Sequence, residues 1–97
     1  MFNLKINTIM TKINFSEIRF RASLFAESVP IEDFHKQLAE VIYQNNDVAS
    51  GRLALKLFDN PEIEVNEQEL GLIKEALKNF RQWVKVAVFE ALGEKAE

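Results

Sequence analysis

Val65-Asn66-Glu67-Gln68-Glu69-Leu70 decides how the last third of this chain folds. Asn66 stands at an N-cap, where its side-chain oxygen accepts a backbone N–H that has no partner inside the helix. Glu69 reaches back to the Asn66 N–H, making a capping box with Asn in place of Ser or Thr, and Val65 and Leu70 take the positions of a hydrophobic staple. Glu67 and Glu69 put negative charge at the positive end of the helix dipole. The pattern predicts a helix from Glu67 whose apolar residues run to Leu92, with Gly93 as its C′ stop.

Leu70, Ile73, Leu77, Phe80, Val84, Ala87 and Ala91 alternate spacings of three and four, the seam of a helix packed on other helices. Unbroken from Glu67 to Leu92, such a helix would be about 39 Å long. A compact domain of this size has a radius of gyration of about 12–13 Å. The helix therefore either breaks, with Asn79 the expected place, or projects from the globule. Trp83, Val86 and Phe89 lie off the seam and are surplus apolar surface. They are the candidate interface: either Phe2, Leu4 and Ile6 of the same chain cover them, or they meet a partner. The partner expected is a second copy, in a homodimer or larger oligomer with Val86 and Phe89 at or near the contact. Lys74, Lys78, Arg81 and Lys85 form a basic stripe beside the seam. Its ordinary use is a solvated face; its functional use is docking to an acidic partner or nucleic acid.

Working back towards the N-terminus, Glu62-Ile63-Glu64-Val65 is extended and fit to form a small ladder with the N-terminal segment. Asp59-Asn60-Pro61 closes a preceding segment, Val48 to Phe58, for which Asp47 is an N-cap. Within it Arg52-Leu53-Ala54-Leu55-Lys56-Leu57 alternates as a strand would, but these residues are helix formers and none is β-branched, so helix is favoured. Ile31, Phe34, Leu38, Val41 and Ile42 make an amphipathic stripe that Pro30 opens in its first turn and Asn45-Asn46 ends. Ser16 to Phe25 fits two readings. Ile18, Phe20 and Ala22 alternate with Arg19 and Arg21 as in a strand, while Ser16 could cap a short helix with Ile18, Ala22 and Phe25 on one side. Alternation of Phe and Ile favours the strand. Phe2, Leu4 and Ile6, then Ile13 and Phe15, also alternate with polar residues, as in an extended arm or short strand.

The expected fold is mainly α: one domain over residues 1–97, with an extended N-terminal segment at 1–25 and a helical core at 30–93. That core is a small bundle of three to four helices, with Phe34, Leu38, Leu57, Ile73, Leu77 and Phe80 largely buried. Ninety-seven residues suffice for one modest core. At 47% hydrophobic and 28% charged, the chain is an ordinary globular composition rather than a disordered one. A net charge of −3 gives no global attraction to nucleic acid or an anionic membrane. Without cysteine, disulfides and thiolate metal sites are excluded. No apolar run approaches the ~18–20 residues that cross a bilayer, and Met1 to Phe15 is too interrupted for a signal peptide, so a cytoplasmic location is expected. Met10, before Thr11-Lys12, is an alternative start.

No catalytic pattern emerges, and neither a cofactor nor a metal is expected. His35 is the single histidine; Glu32, Asp33 or Glu40 could add oxygen ligands, but their spacing specifies no metal. Ser16, Ser23, Ser28 and Ser50 stand in no nucleophile elbow. Glu62, Glu64, Glu67 and Glu69 resemble paired carboxylates, yet two of them are explained by capping and the set lacks the pattern of a calcium loop.

The succession Leu38-Ala39-Glu40-Val41-Ile42-Tyr43-Gln44-Asn45, Leu53-Ala54-Leu55-Lys56-Leu57-Phe58 and Glu62-Ile63-Glu64-Val65-Asn66 resembles small helical proteins of phage and prophage regions. The likeness spans Pro30 to Leu92 and carries over no functional residue. It implies an accessory or assembly protein of a mobile element. The function expected is a non-catalytic protein-interaction module that self-associates through its C-terminal helix; the alternative is a nucleic-acid-binding regulator using the basic stripe.

Overall fold

The computed structural model of the chain describes residues 10–93. The chain is mainly α, with short strands towards its N-terminus. In order come β1 (Thr11–Asn14), one 3-10 turn (Phe15–Glu17), β2 (Arg19–Phe20), β3 (Val29–Pro30), α1 (Phe34–Tyr43), α2 (Val48–Asp59), β4 (Glu62–Val65), α3 (Glu67–Leu77) and α4 (Gln82–Ala91). Among the described residues no helix is long and apolar enough to cross a membrane. The expected arm over Phe2, Leu4 and Ile6 lies outside the described residues.

The acidic step finds its ladder. β1 runs antiparallel to β4, pairing Thr11 with Val65 and Ile13 with Ile63. Alternation puts Ile13, Ile63 and Val65 into the core and leaves Lys12, Glu62 and Glu64 outside, where Lys12 Nζ lies 3.4 Å from a Glu62 carboxylate oxygen. The capping box at Asn66 forms as its spacing requires. Glu69 N–H donates to Asn66 Oδ1 at 2.8 Å, and Asn66 N–H donates to Glu69 Oε1 at 2.9 Å. Lys56 Nζ reaches the other Glu69 oxygen at 3.1 Å and the Glu64 carbonyl at 3.0 Å, tying α2 to the start of α3. Asn66→Ala removes the cap and is expected to cost about 0.5–2 kcal/mol, read as a lower urea midpoint at unchanged slope. An unmoved midpoint would refute the cap's contribution.

Asp47 caps α2 as its position predicts, accepting the Ser50 N–H at 3.0 Å and the buried Ser50 hydroxyl at 2.9 Å. α1 starts later than Pro30 indicates. Val29 and Pro30 are held extended against Phe20 and Arg19, so the proline serves a short ladder rather than a first helical turn. The chain enters α1 only after Asp33 at φ 59°, a left-handed conformation that Asp tolerates better than most residues. Residues 16–25 resolve mainly against the helix reading: Ile18 and Phe20 are buried, but the strand is two residues long, and Ala22 and Phe25 are exposed.

The last helical stretch breaks. α3 ends at Leu77, Asn79 and Phe80 N–H groups fold back onto the Ala76 and Leu77 carbonyls at 3.0 Å, and Arg81 is extended before α4 begins. Asn79 reinforces the turn with a side-chain donation to the Ala76 carbonyl at 3.2 Å. The stop at Gly93 holds: φ is 79°, where a Cβ would be strained, and its N–H bonds to the Glu90 carbonyl at 3.0 Å. The break resets the helical phase. Val84 and Val88 are buried on α4, Ala87 is half-buried and Ala91 exposed, so the seam drawn through Ala87 and Ala91 misses Val88.

The core lies where α1, α2 and α3 meet the β1–β4 ladder. Phe34, Leu38, Leu57, Ile73 and Leu77 are buried as their spacing predicts, and Phe80 is half-buried. Phe34 is the hub of the aromatic packing, with ring centroids at 6.2 Å from Phe15, 4.8 Å from Phe20 and 5.6 Å from Phe80.

Candidate functional site

An apolar run with a period of two cannot be buried on one side of a helix. At about 100° per residue, Leu53 and Leu57 share one face of α2 while Leu55 stands roughly 200° away. Leu53, Ala54 and Leu57 accordingly fill the core, and Leu55 is 60% exposed. Val48 and Phe58, seven and three residues from Leu55, share its outward side and are also exposed. α1 packs against α2 along its length and adds Tyr43, exposed at the same surface.

Between the two helices lies a cleft of about 260 Å³. The small buried residues Ala39 and Ala54 lie at its base, and Tyr43, Leu55 and Phe58 rise around it. Glu40 is the one charged residue of the lining; its carboxylate accepts from Gln44 Nε2 at 2.7 Å. Lys36 Nζ sits 5.2 Å from the Phe58 ring centroid, a cation–π contact that fixes that ring at the rim. Each such side chain left in water forgoes about 1.5–3 kcal/mol of burial, and a cluster of them around a concavity is the usual mark of a binding surface.

The second apolar exposure is the tip of the β2–β3 hairpin. Leu24 is 83% and Phe25 100% exposed. The tip is nonetheless tied down from below. Arg21 donates to the Ala26 carbonyl at 3.1 Å and to the Leu24 carbonyl, and Arg19 donates to the Ser28 carbonyl at 3.0 Å. Ser23 accepts the Phe25 N–H on its hydroxyl at 3.2 Å and the Ala26 N–H on its carbonyl at 3.0 Å. The two arginines of the alternating stretch thus satisfy loop carbonyls while holding an aromatic side chain in solvent.

The residues singled out from the C-terminal helix are placed differently from one another. Trp83 stands edge-on to Phe20, centroids 6.4 Å apart at 82°, and it and Phe89 pack against the core while half-buried. Val86 is half-buried in a cleft with Arg19, Arg21, Ser28 and Glu90. The basic residues do not share one helix. Lys74 is half-buried on α3, Lys78 caps its end and pairs with Glu75 at 3.2 Å, Arg81 precedes α4, and Lys85 is half-buried on α4.

Several of the other ionisable groups are engaged in the fold itself. His35 is nearly buried on α1, and that burial, with Lys36 beside it, lowers its pKa against the opposing pull of Asp33. The Ser50 hydroxyl, then the Ser50 N–H, hold the Asp47 carboxyl below its usual range. Glu62 belongs to the ladder and Glu69 to the capping box. Among the described residues no group of three or more His, Asp or Glu is placed to hold a metal ion.

Leu55 was legible in principle, since an alternating run assigned to a helix must turn one of its leucines outward. Phe25 had a weaker signal: an apolar pair set among Arg21, Ser23, Ser28 and Pro30, residues more at home in a loop. Compared with known protein families, curated proteins and solved structures, the chain matches none.

Proposed function

We propose that this chain is a small helical-bundle module of the cytoplasm that binds protein rather than catalysing a reaction, and that it self-associates. The observation that carries the reading is the contrast between a complete core and large apolar side chains standing in water at preformed places: Phe25 on a tied-down tip, and Leu55 and Phe58 around a cleft. The employment of Asp47, Glu62 and Glu69 in caps and ladders supports a structural rather than a catalytic use of the carboxylates. On α4, Val86 is the residue best placed to join the contact, because Trp83 and Phe89 already pack on the core. An accessory or assembly role in a mobile element is the setting that the sequence resemblance implies, and it is proposed with this reading.

Ionic strength separates this function from nucleic-acid binding. Apolar contacts persist in high salt, whereas binding through phosphates falls steeply as counterions compete. Sedimentation velocity at low and high salt is expected to show association that survives the increase. A chain that stays monomeric and retains DNA or RNA only at low salt would overturn the proposal in favour of a nucleic-acid-binding regulator.

A further inference from the structure

Resting on the self-association proposed above, we infer that its contact is a knob in a socket: Phe25 at the hairpin tip of one copy seats in the α1–α2 cleft of a second copy. Three observations fit the two surfaces to each other. The first is size, since a cleft of about 260 Å³ exceeds the ~150 Å³ in which a benzene-sized ring is held. Its base is two alanines, which leave room for a ring that larger side chains would fill.

The second is charge. Arg19 and Arg21 stand at the root of the tip with Glu27 as the one acidic residue of the loop, while the cleft's lining carries a single charge, Glu40. A docked tip brings guanidinium groups towards that carboxylate, and Lys36 is already engaged over the Phe58 ring at the rim.

The third is preorganisation. The tip's carbonyls are satisfied by the two arginines and its turn by Ser23, so seating Phe25 orders little that is not already ordered. A buried aromatic anchor surrounded by apolar walls is the arrangement that dominates binding energy in protein contacts.

Tip and cleft are different surfaces, so the contact is head-to-tail. Each docked pair keeps one free tip and one open cleft, and assembly continues to a ring or filament. Complementation between two defective variants tests this. Phe25→Asp removes the knob at a fully exposed position, and Leu55→Arg puts bulk and positive charge at the socket's wall, also in solvent. Each variant alone is expected to lose self-association by roughly 10- to 100-fold, with circular dichroism of the unmodified chain. Mixed in equal amounts they are expected to form a dimer of twice the 11.2 kDa chain mass, through the intact tip of one and the intact cleft of the other. The milder Leu55→Ser should weaken association in the same direction. If Phe25→Asp associates as strongly as the unmodified chain, or if the mixture stays monomeric, the knob-in-socket contact is wrong while self-association stands. An unmodified chain that is monomeric throughout overturns both.

Discussion

Replacing Phe34 by alanine is expected to destabilise the protein by about 3–5 kcal/mol, the largest effect of any single truncation considered. Phe34 opens α1, is 2% exposed, and touches rings from three other places in the chain: Phe15 from the 3-10 turn, Phe20 from β2 and Phe80 from the turn before α4. Removing it leaves a cavity that no single neighbour can fill, because each of those rings is anchored by its own element. Phe20 also supports Trp83, so the loss extends to the seating of α4. Urea unfolding at fixed protein concentration measures the effect, the concentration being held because association by itself shifts apparent stability. A loss below about 1 kcal/mol, the ordinary level for a point mutation, would show that the aromatic cluster is not the joint the structure describes.

Leu77→Ala is expected to cost about 2–5 kcal/mol. Leu77 is fully buried at the last position of α3, and its carbonyl accepts the Phe80 N–H at 3.0 Å in the turn that separates α3 from α4. Its side chain therefore holds the end of one helix against the core at the point where the chain changes direction. The same unfolding experiment reads the change. A near-neutral result would mean that α3 presents a different face to the core, and with it that the helical phase fixed by the Asn66 cap is wrong.

Local chemistry made some of this architecture readable in the sequence. Capping depends on residues within a few positions of one another, so Asn66 with Glu69, Asp47 and Gly93 declared the ends they make. Periodicity placed Phe34, Leu38, Ile73 and Leu77 in the core for the same reason. Most of what the sequence does not display depends on distant partners. Pro30 has the right chemistry for a first helical turn, but pairing with Arg19 keeps it extended. The break at Asn79 was one of two readings that length alone allowed, and once it forms, the phase of α4 follows from how that helix meets β2 and the core. Val88 is buried there and the basic residues are divided between two helices and a turn. Trp83 and Phe89 read as surplus because the sequence does not display Phe20 coming back to meet the tryptophan. Leu55 and Phe25 lie outside that candidate surface, and both are more exposed than the half-buried Trp83, Val86 and Phe89. In both cases the side of the element decides: Leu55 faces out of α2, and Phe25 stands on a hairpin tip rather than on a helix face.

The solution mass of the unmodified chain, measured by sedimentation equilibrium over a wide range of concentration, tests the central claim most directly. Self-association through exposed apolar surface predicts a mass that rises with concentration above that of one 11.2 kDa chain. A mass that stays at a single chain at the highest concentration reached would contradict it.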